Sequence, residues 1–426
     1  MTSSLPPDLG SQIDALLARH IEANAPGAAI AVLQGGRFAH RKAYGLADLE
    51  WTIPLTPDCV FRIASLTKPF TAMAIMILAE HGSLSIDDPV ERHLPWWPPR
   101  GRLVTLRHLL NHTSGVWRHD WDRQLRTTRP NITLADLLPL IGERDFEFEP
   151  GESYRYNNAG YLLLGAVVEA ASGRRFEAFL REAIFEPLGM RRTGMLRFET
   201  VTRQRARGHV LGRSGFHNAR PDGEIFSHAA GGLGSTLDDL ALWDRALREH
   251  RLVSPETFER MLAPTPLSDG SAYPYGLGWG LTDDYLGLRL THHAGGVSGF
   301  ACQMLRARDE DLTLIVLSNL YAFPFDQVNR ALLRIARTQP LDPPPLAEAT
   351  PGEVAACVGA FIGPEGRLIE LGPAMAWASL GRGCLCDPGD PEVEFRFSDL
   401  QGGRYQRLDY VSPLWPDVAY RRVANG

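Results

Sequence analysis

The chain has 426 residues, a formal net charge of −6, 44% apolar residues and 22% charged residues. This ordinary globular composition excludes a disordered chain, a coiled coil and a collagen-like fibre. There is no basic field for a phosphate backbone and no run near the roughly 18 apolar residues of a membrane helix, so neither a nucleic-acid nor a membrane role is expected.

The N-terminal stretch MTSSLPPDLGSQID has no basic n-region and no apolar h-region, so no secretory signal is read and a cytoplasmic location is expected. Residues 11–23 read as a helix, with Ile13, Leu16, Leu17 and Ile21 at helical spacing. Residues 28–45 hold two strand-like runs around Gly35-Gly36, which predicts a β-hairpin. Residues 66–82 predict a largely buried helix stopped at Gly82. Shorter helices are expected over 105–112 and 133–141, and a second buried helix over 161–173. The helical pattern continues at 236–249 and 254–262.

Three strands are expected between 288 and 320, with Arg308-Asp309-Glu310-Asp311 at the second turn. Sequential strands tend to pair, so the N-terminal hairpin and these three should share one antiparallel sheet of five or more strands. With helices covering its faces and an all-helical subregion, the expected class is α+β. The stretch QPLDPPPLAEATPG at 339–352 reads as a semi-rigid spacer. Residues 353–426 are rich in turns and short strands, which predicts a small β-barrel-like domain. The expected organisation is a large domain over 1–338, a linker over 339–352 and a small β domain over 353–426.

Of the 44 basic residues only Lys42 and Lys68 are lysine, leaving 42 arginines. Lysine can shed its proton in a protein and arginine cannot. Lys68 ends the run Ser65-Leu66-Thr67-Lys68 at the head of the 66–82 helix. Residues i and i+3 share a helix face, so hydroxyl and amine can meet. Pro69 suits the first turn, and the Ser65 N–H is left to point at an anion. A nucleophile, a potential base and half an oxyanion hole then fall within four residues. The competing reading makes Ser65 only an N-cap, but a cation in the first turn opposes the helix dipole. To serve as a base near pH 7, a lysine must fall well below its reference pKa of about 10.4.

Tyr156-Asn157-Asn158 is the second candidate, in the loop leading into the 161–173 helix. A phenol near a lysine can relay a serine proton. The plainer reading has Asn158 capping the helix and Tyr156 packing. The third candidate is His292-His293-Ala294-Gly295-Gly296 at a strand end. Its glycines suit a close backbone approach, with His293 presenting a donor and the Gly296 N–H a second oxyanion contact. The plainer reading is a glycine-rich turn with exposed histidines, to which His292 is assigned.

Other signals are weaker. His108, His112 and His119 lack a matching Cys or acidic ligand, so no metal and no cofactor is expected. Gly276, Gly278 and Gly280 have no βαβ context for a dinucleotide. The five cysteines, Cys59, Cys302, Cys357, Cys384 and Cys386, form no disulfide framework, and Cys384-x-Cys386 is too short for a redox or zinc motif. Trp117, Trp121 and the Trp96-Trp97 pair read either as a pocket wall or as packing.

Ser65-x-x-Lys68, Tyr156-x-Asn158 and His293-x-Gly295, in this order, resemble the penicillin-recognising serine enzymes. The branch is that of class C β-lactamases, D-aminopeptidases, D,D-peptidases and related esterases. LLNHTSGV at 109–116, AAGGLGSTLDDLALW at 229–243 and YGLGWG at 275–280 also look like that branch. The resemblance implies a β-lactamase/transpeptidase-like fold and acyl transfer on an ester, amide or D-configured peptide. It implies Ser65 as nucleophile, Lys68 as base or proton relay and Tyr156 as partner acid/base. Asn158, His293 and Gly295 would contact substrate, and the Ser65 and Gly296 N–H groups would hold the oxyanion. β-Lactamases of this branch carry lysine in the third motif, where this chain has His293. That departure is more similar to esterases, D-aminopeptidases and peptide-releasing acyltransferases. The partner is then a small-molecule or peptide acyl substrate. Two alternatives stay open: a stand-alone nonribosomal-peptide cyclase fed by a carrier-protein thioester, and a catalytically silent binding protein.

Overall fold

Gly35 and Gly36 turn the chain with φ of +59° and +71°, the left-handed pair that a two-residue hairpin requires. The turn joins β1 (Ala28–Gln34) to β2 (Arg37–Tyr44), after helix α1 (Leu9–His20). The structure is a computed structural model and describes residues 5–98, 101–119, 133–197, 199–212, 214–220, 228–341 and 357, and seven strands between 359 and 422. Trp121 and residues 342–352 of the expected linker lie outside the described residues.

The three expected strands form β4 (Leu288–Val297), β5 (Phe300–Ala307) and β6 (Leu312–Ser318), preceded by β3 (Gly280–Tyr285). They join the hairpin in one six-stranded sheet of order β3-β4-β5-β6-β1-β2. β1 pairs with β6 antiparallel, Ala28 opposite Ser318. β5 and β6 are buried along their whole length, as strands covered on both faces must be.

Helix α2 (Thr67–Glu80) is buried at every position from Thr67 to Leu78, so it is a core helix rather than an amphipathic one. Gly82, at φ +74°, follows its end. Helix α3 (Asn158–Ser172) stops at Gly173, whose left-handed backbone donates its N–H to the Glu169 carbonyl. Phe70 of α2 meets Trp243 of α4 (Leu237–Arg248) with ring centroids 4.2 Å apart. Under α4, Arg306 Nε donates to Asp244 Oδ1 at 2.7 Å, with side chains 5% and 1% exposed. Thr313 donates to the same oxygen at 3.0 Å.

Contacts divide the chain into residues 1–283 with 288–325, and 284–287 with 326–426. The second unit contains helix α5 (Phe325–Ala336) from its second residue onward and strands β7 (Gly359–Ile362), β8 (Leu368–Leu371), β9 (Ala378–Gly381), β10 (Cys384–Asp387), β11 (Asp390–Gln401), β12 (Arg404–Ser412) and β13 (Trp415–Arg422). These strands make one sheet of order β8-β7-β13-β12-β11-β10-β9. Among the described residues no helix is long and apolar enough to cross a membrane.

Candidate active site

Ser65 sits in a single 3-10 turn, Ala64–Leu66, immediately ahead of α2. The turn is tied down on both sides. Phe61 and Arg62 pair with Ser235 and Gly234, and the Ile63 N–H donates to the Leu233 carbonyl at 3.0 Å. Ala64 is held at φ +44°, a conformation that costs a non-glycine residue about 1–3 kcal/mol and persists only where its surroundings enforce it.

One turn into the structure, Lys68 is fully buried at 0% exposure. Its Nζ donates to Ser65 Oγ at 3.0 Å, to Asn158 Oδ1 at 2.7 Å and to the Ala230 carbonyl at 2.7 Å. It also lies 4.7 Å from the centre of the Tyr156 ring and 5.4 Å from that of Tyr161. The first and second sequence candidates therefore meet around one amine.

The helix cap falls one residue earlier than the plainer sequence reading placed it. Asn157 has the extended backbone of an N-cap, and its side chain accepts the Ala159 N–H at 2.8 Å. Asn158 is the first helical residue, and its carbonyl oxygen goes to Lys68.

Strand β4 closes the other side. A β carbon on Gly295 would stand 2.4 Å from the Ile63 carbonyl oxygen, 2.7 Å from Cys302 Sγ and 3.0 Å from the Ser65 nitrogen, so only glycine lets the strand approach the turn. Gly296 is exposed, with the Tyr321 ring beside it.

His293 is 5% exposed, and both ring nitrogens are engaged within the protein. Nδ1 donates to the Ala294 carbonyl at 2.6 Å, and Nε2 lies 3.1 Å from the Tyr275 hydroxyl. Burial, then the charge of Lys68, pushes its pKa down to about 3. The ring is a neutral, internally bonded wall. His292 is buried too, against the reading of an exposed turn. Its Nε2 lies 3.0 Å from the Thr282 hydroxyl, and its ring covers Gly280, where a β carbon would come within 2.6 Å.

Sequence reasoning set aside two residues that the site uses. His112 packs on Tyr156 with ring centroids 4.4 Å apart, and its Nε2 lies 3.3 Å from the Tyr275 hydroxyl. In sequence, His112 is weighed only as a metal ligand and the YGLGWG run only for its glycines; a histidine and a tyrosine in two family-like runs, LLNHTSGV and YGLGWG, are the available signal. The glycines of YGLGWG are packing residues: a β carbon on Gly278 would meet Ala72 of α2 at 2.8 Å. Of the tryptophans, Trp97 is core at 2% exposure and Trp96 is 43% exposed. Among the described residues no three His, Cys, Asp or Glu side chains gather to hold a metal ion.

A hydroxyl lies beside a buried amine, a phenol and an amide stand next to that amine, and a glycine strand lies against the hydroxyl's turn, which is the arrangement that serine acyl transfer calls for. The chain belongs to the Beta-lactamase family, whose model matches residues 13–338. It is 34% identical over 305 residues to penicillin-binding protein 4* of Bacillus subtilis (strain 168), covering 67% of this chain and 66% of that protein. It is 31% identical over 331 residues to a D-aminopeptidase of Gluconobacter oxydans (strain 621H), covering 75% of this chain and 60% of the relative. The chain thus spans less than two thirds of either relative's length. A solved structure of D-amino acid amidase from Ochrobactrum anthropi SV3 with D-phenylalanine superposes with a TM-score of 0.67 at 25% identity, over 78% of this chain and 99% of that one.

Proposed function

We propose that the chain is a serine hydrolase that works through an acyl-enzyme on an amide, ester or D-configured peptide bond. The observation that carries this reading is the cluster of Ser65 Oγ, Lys68 Nζ and Asn158 Oδ1, joined at 3.0 and 2.7 Å beneath the Tyr156 ring. Ser65 Oγ attacks the carbonyl carbon, and its proton passes to the amine form of Lys68 or to Tyr156. The Ser65 and Gly296 N–H groups receive the oxyanion; one such donor is worth about 2.7–4 kcal/mol. The tetrahedral species expels the amine or alcohol, which takes up the proton. Water then attacks the acyl-enzyme, releasing the acid and restoring the Ser65 hydroxyl. Asn158 contacts a substrate amide, and Gly295 and His293 shape the wall beside the acyl group.

The neutral His293 supports a substrate with no carboxylate at that wall, since the ring itself supplies no balancing charge. The names of two similar proteins, a D-aminopeptidase and a D-amino acid amidase, support a D-configured substrate with a free amine. The reading takes residues 1–338 as the catalytic domain, 339–352 as a spacer and 353–426 as an accessory domain, in a cytoplasmic protein.

The test is intact-protein mass after incubation with D- and L-aminoacyl amides and esters, a peptidyl thioester and a β-lactam, beside Ser65→Ala. An adduct on the native chain alone, favouring D-aminoacyl donors, is the expected result. Absence of both adduct and turnover with every donor would overturn the reading. A cyclic product from the thioester would redirect it to aminolysis.

A further inference from the structure

The hydrogen bonds around His293 fix the tautomers of two histidines that share one phenol. The Asn157 backbone N–H can only donate, and it reaches His112 Nδ1 at 3.1 Å. His112 therefore carries its proton on Nε2. That N–H points at the Tyr275 oxygen, 3.3 Å away. At the far end the Ala294 carbonyl can only accept, so His293 carries its proton on Nδ1, 2.6 Å from that oxygen. Its Nε2 is a bare acceptor, and the Tyr275 hydroxyl, already accepting from His112, donates to it at 3.1 Å. The two histidines are thus opposite tautomers, bridged by one phenol.

All three side chains are buried, at 1%, 6% and 5% exposure for His112, Tyr275 and His293. A second proton on His293 Nε2 would face an oxygen that already accepts from His112 and would drive the phenol's hydrogen off Nε2 toward its other partner, Tyr161, at the cost of the His293–Tyr275 bond as it stands. We infer that His112 and Tyr275 are positioning residues that hold His293 as its neutral Nδ1–H tautomer, and thereby keep the wall beside Lys68 uncharged and selective for substrates without a carboxylate there. This rests on the acyl-transfer reading for its functional consequence, but the tautomers themselves do not.

Among the described residues, the groups facing His293 are Lys68 from α2, Tyr156 from the loop before α3, Tyr275 from the loop before β3 and its neighbour His292. His112 stands behind Tyr275, and Tyr161, which spends its own proton on the Leu110 carbonyl at 2.7 Å, is a second hydrogen-bond partner of the Tyr275 hydroxyl. None is a carboxylate. Lys68 acts in the same direction as the relay, since a cation disfavours a second one, and burial lowers the pKa of both histidines.

The experiment is nitrogen-15 histidine NMR on the full chain from about pH 5 to about pH 8, a range bracketing an ordinary histidine. His112→Gln and His293→Gln assign the signals. The native chain should show His112 protonated on Nε2, His293 protonated on Nδ1, and neither ring titrating. Tyr275→Phe should bring the His293 titration up into that range, from its low value of about 3. It should also cut the preference for a neutral aminoacyl ester over its carboxylate-bearing analogue by about tenfold, with kcat/KM gaining a dependence on that same titration. His293 carrying its proton on Nε2, or titrating as an ordinary histidine in the native chain, would overturn the inference. So would a Tyr275→Phe protein, folded by near-ultraviolet circular dichroism, whose tautomers and pH profile match the native ones. The two readings fail separately: native tautomers as assigned with no acyl-enzyme would sink the acyl-transfer reading alone, and an acyl-enzyme with the wrong tautomers would sink the relay alone.

Discussion

Gly295 stands so close to Ile63 that a β carbon would lie 2.4 Å from the Ile63 carbonyl oxygen, well inside van der Waals contact. Both partners are backbone, so no side chain can swing aside. Gly295→Ala should therefore displace the Ser65 turn by a fraction of an ångström while leaving the fold intact. A misplacement of about 1 Å costs up to about 10²-fold in rate, so this smaller shift should cost up to that. Steady-state kinetics beside far-ultraviolet circular dichroism checks this; native turnover in the alanine variant would mean that the strand has slack.

Lys68→Arg keeps a cation beside Ser65 and Asn158 but removes the ability to give up a proton. Turnover should fall by about 10²–10⁴-fold, the range associated with losing a positioned base. Single-turnover acylation is the measurement, because it isolates the first chemical step. Retained acylation would take Lys68 out of proton transfer and leave Tyr156 as the base.

Acid should destabilise this protein before its carboxylates titrate. His228 and His292 are pushed down to about 4 and His293 to about 3, in each case by burial first. Between these values and the reference of about 6.5 the unfolded chain binds more protons than the folded one. Stability is therefore full above pH 6.5 or so and is lost as pH falls toward the folded values. The urea midpoint should drop between about pH 7.5 and about pH 4.5, and His292→Gln should flatten that slope. An equal midpoint at both pH values would contradict the burial of these rings.

Removing one partner of the Arg306–Asp244 pair strands a buried charge. Asp244→Ala should cost about 3–5 kcal/mol in chemical denaturation. Replacing both with Asp244→Leu and Arg306→Met should recover most of the loss, since paired apolar residues avoid the desolvation penalty. A double variant as unstable as the single one would show that packing, not charge, sets the cost.

The elements with local signals were legible. The hairpin announced itself through Gly35-Gly36, α3 through its glycine stop, and the Ser65 turn through a lysine where the helix dipole disfavours one. β3 was not, because it begins at the last glycine of YGLGWG, a run whose glycines carry no strand signal. It is a strand because Gly280 leaves room for the His292 ring, a contact between elements. The same holds for His112 and Tyr275, 163 residues apart, whose pairing no spacing rule could disclose. Asn157 and Asn158 were distinguishable only by backbone angle, since identical neighbours compete for one cap.

The arginine-for-lysine usage has a chemical consequence at the surface. An enzyme that handles activated acyl donors exposes its own amines to them, and a guanidinium that stays protonated is no nucleophile. Lys42 is the one lysine at the surface, half exposed and held by both Asp14 oxygens at 2.8 Å, and Lys68 is buried. The side chains therefore offer stray acyl groups almost no amine to modify, and an added acyl mass on this chain has few amide-forming places to reside.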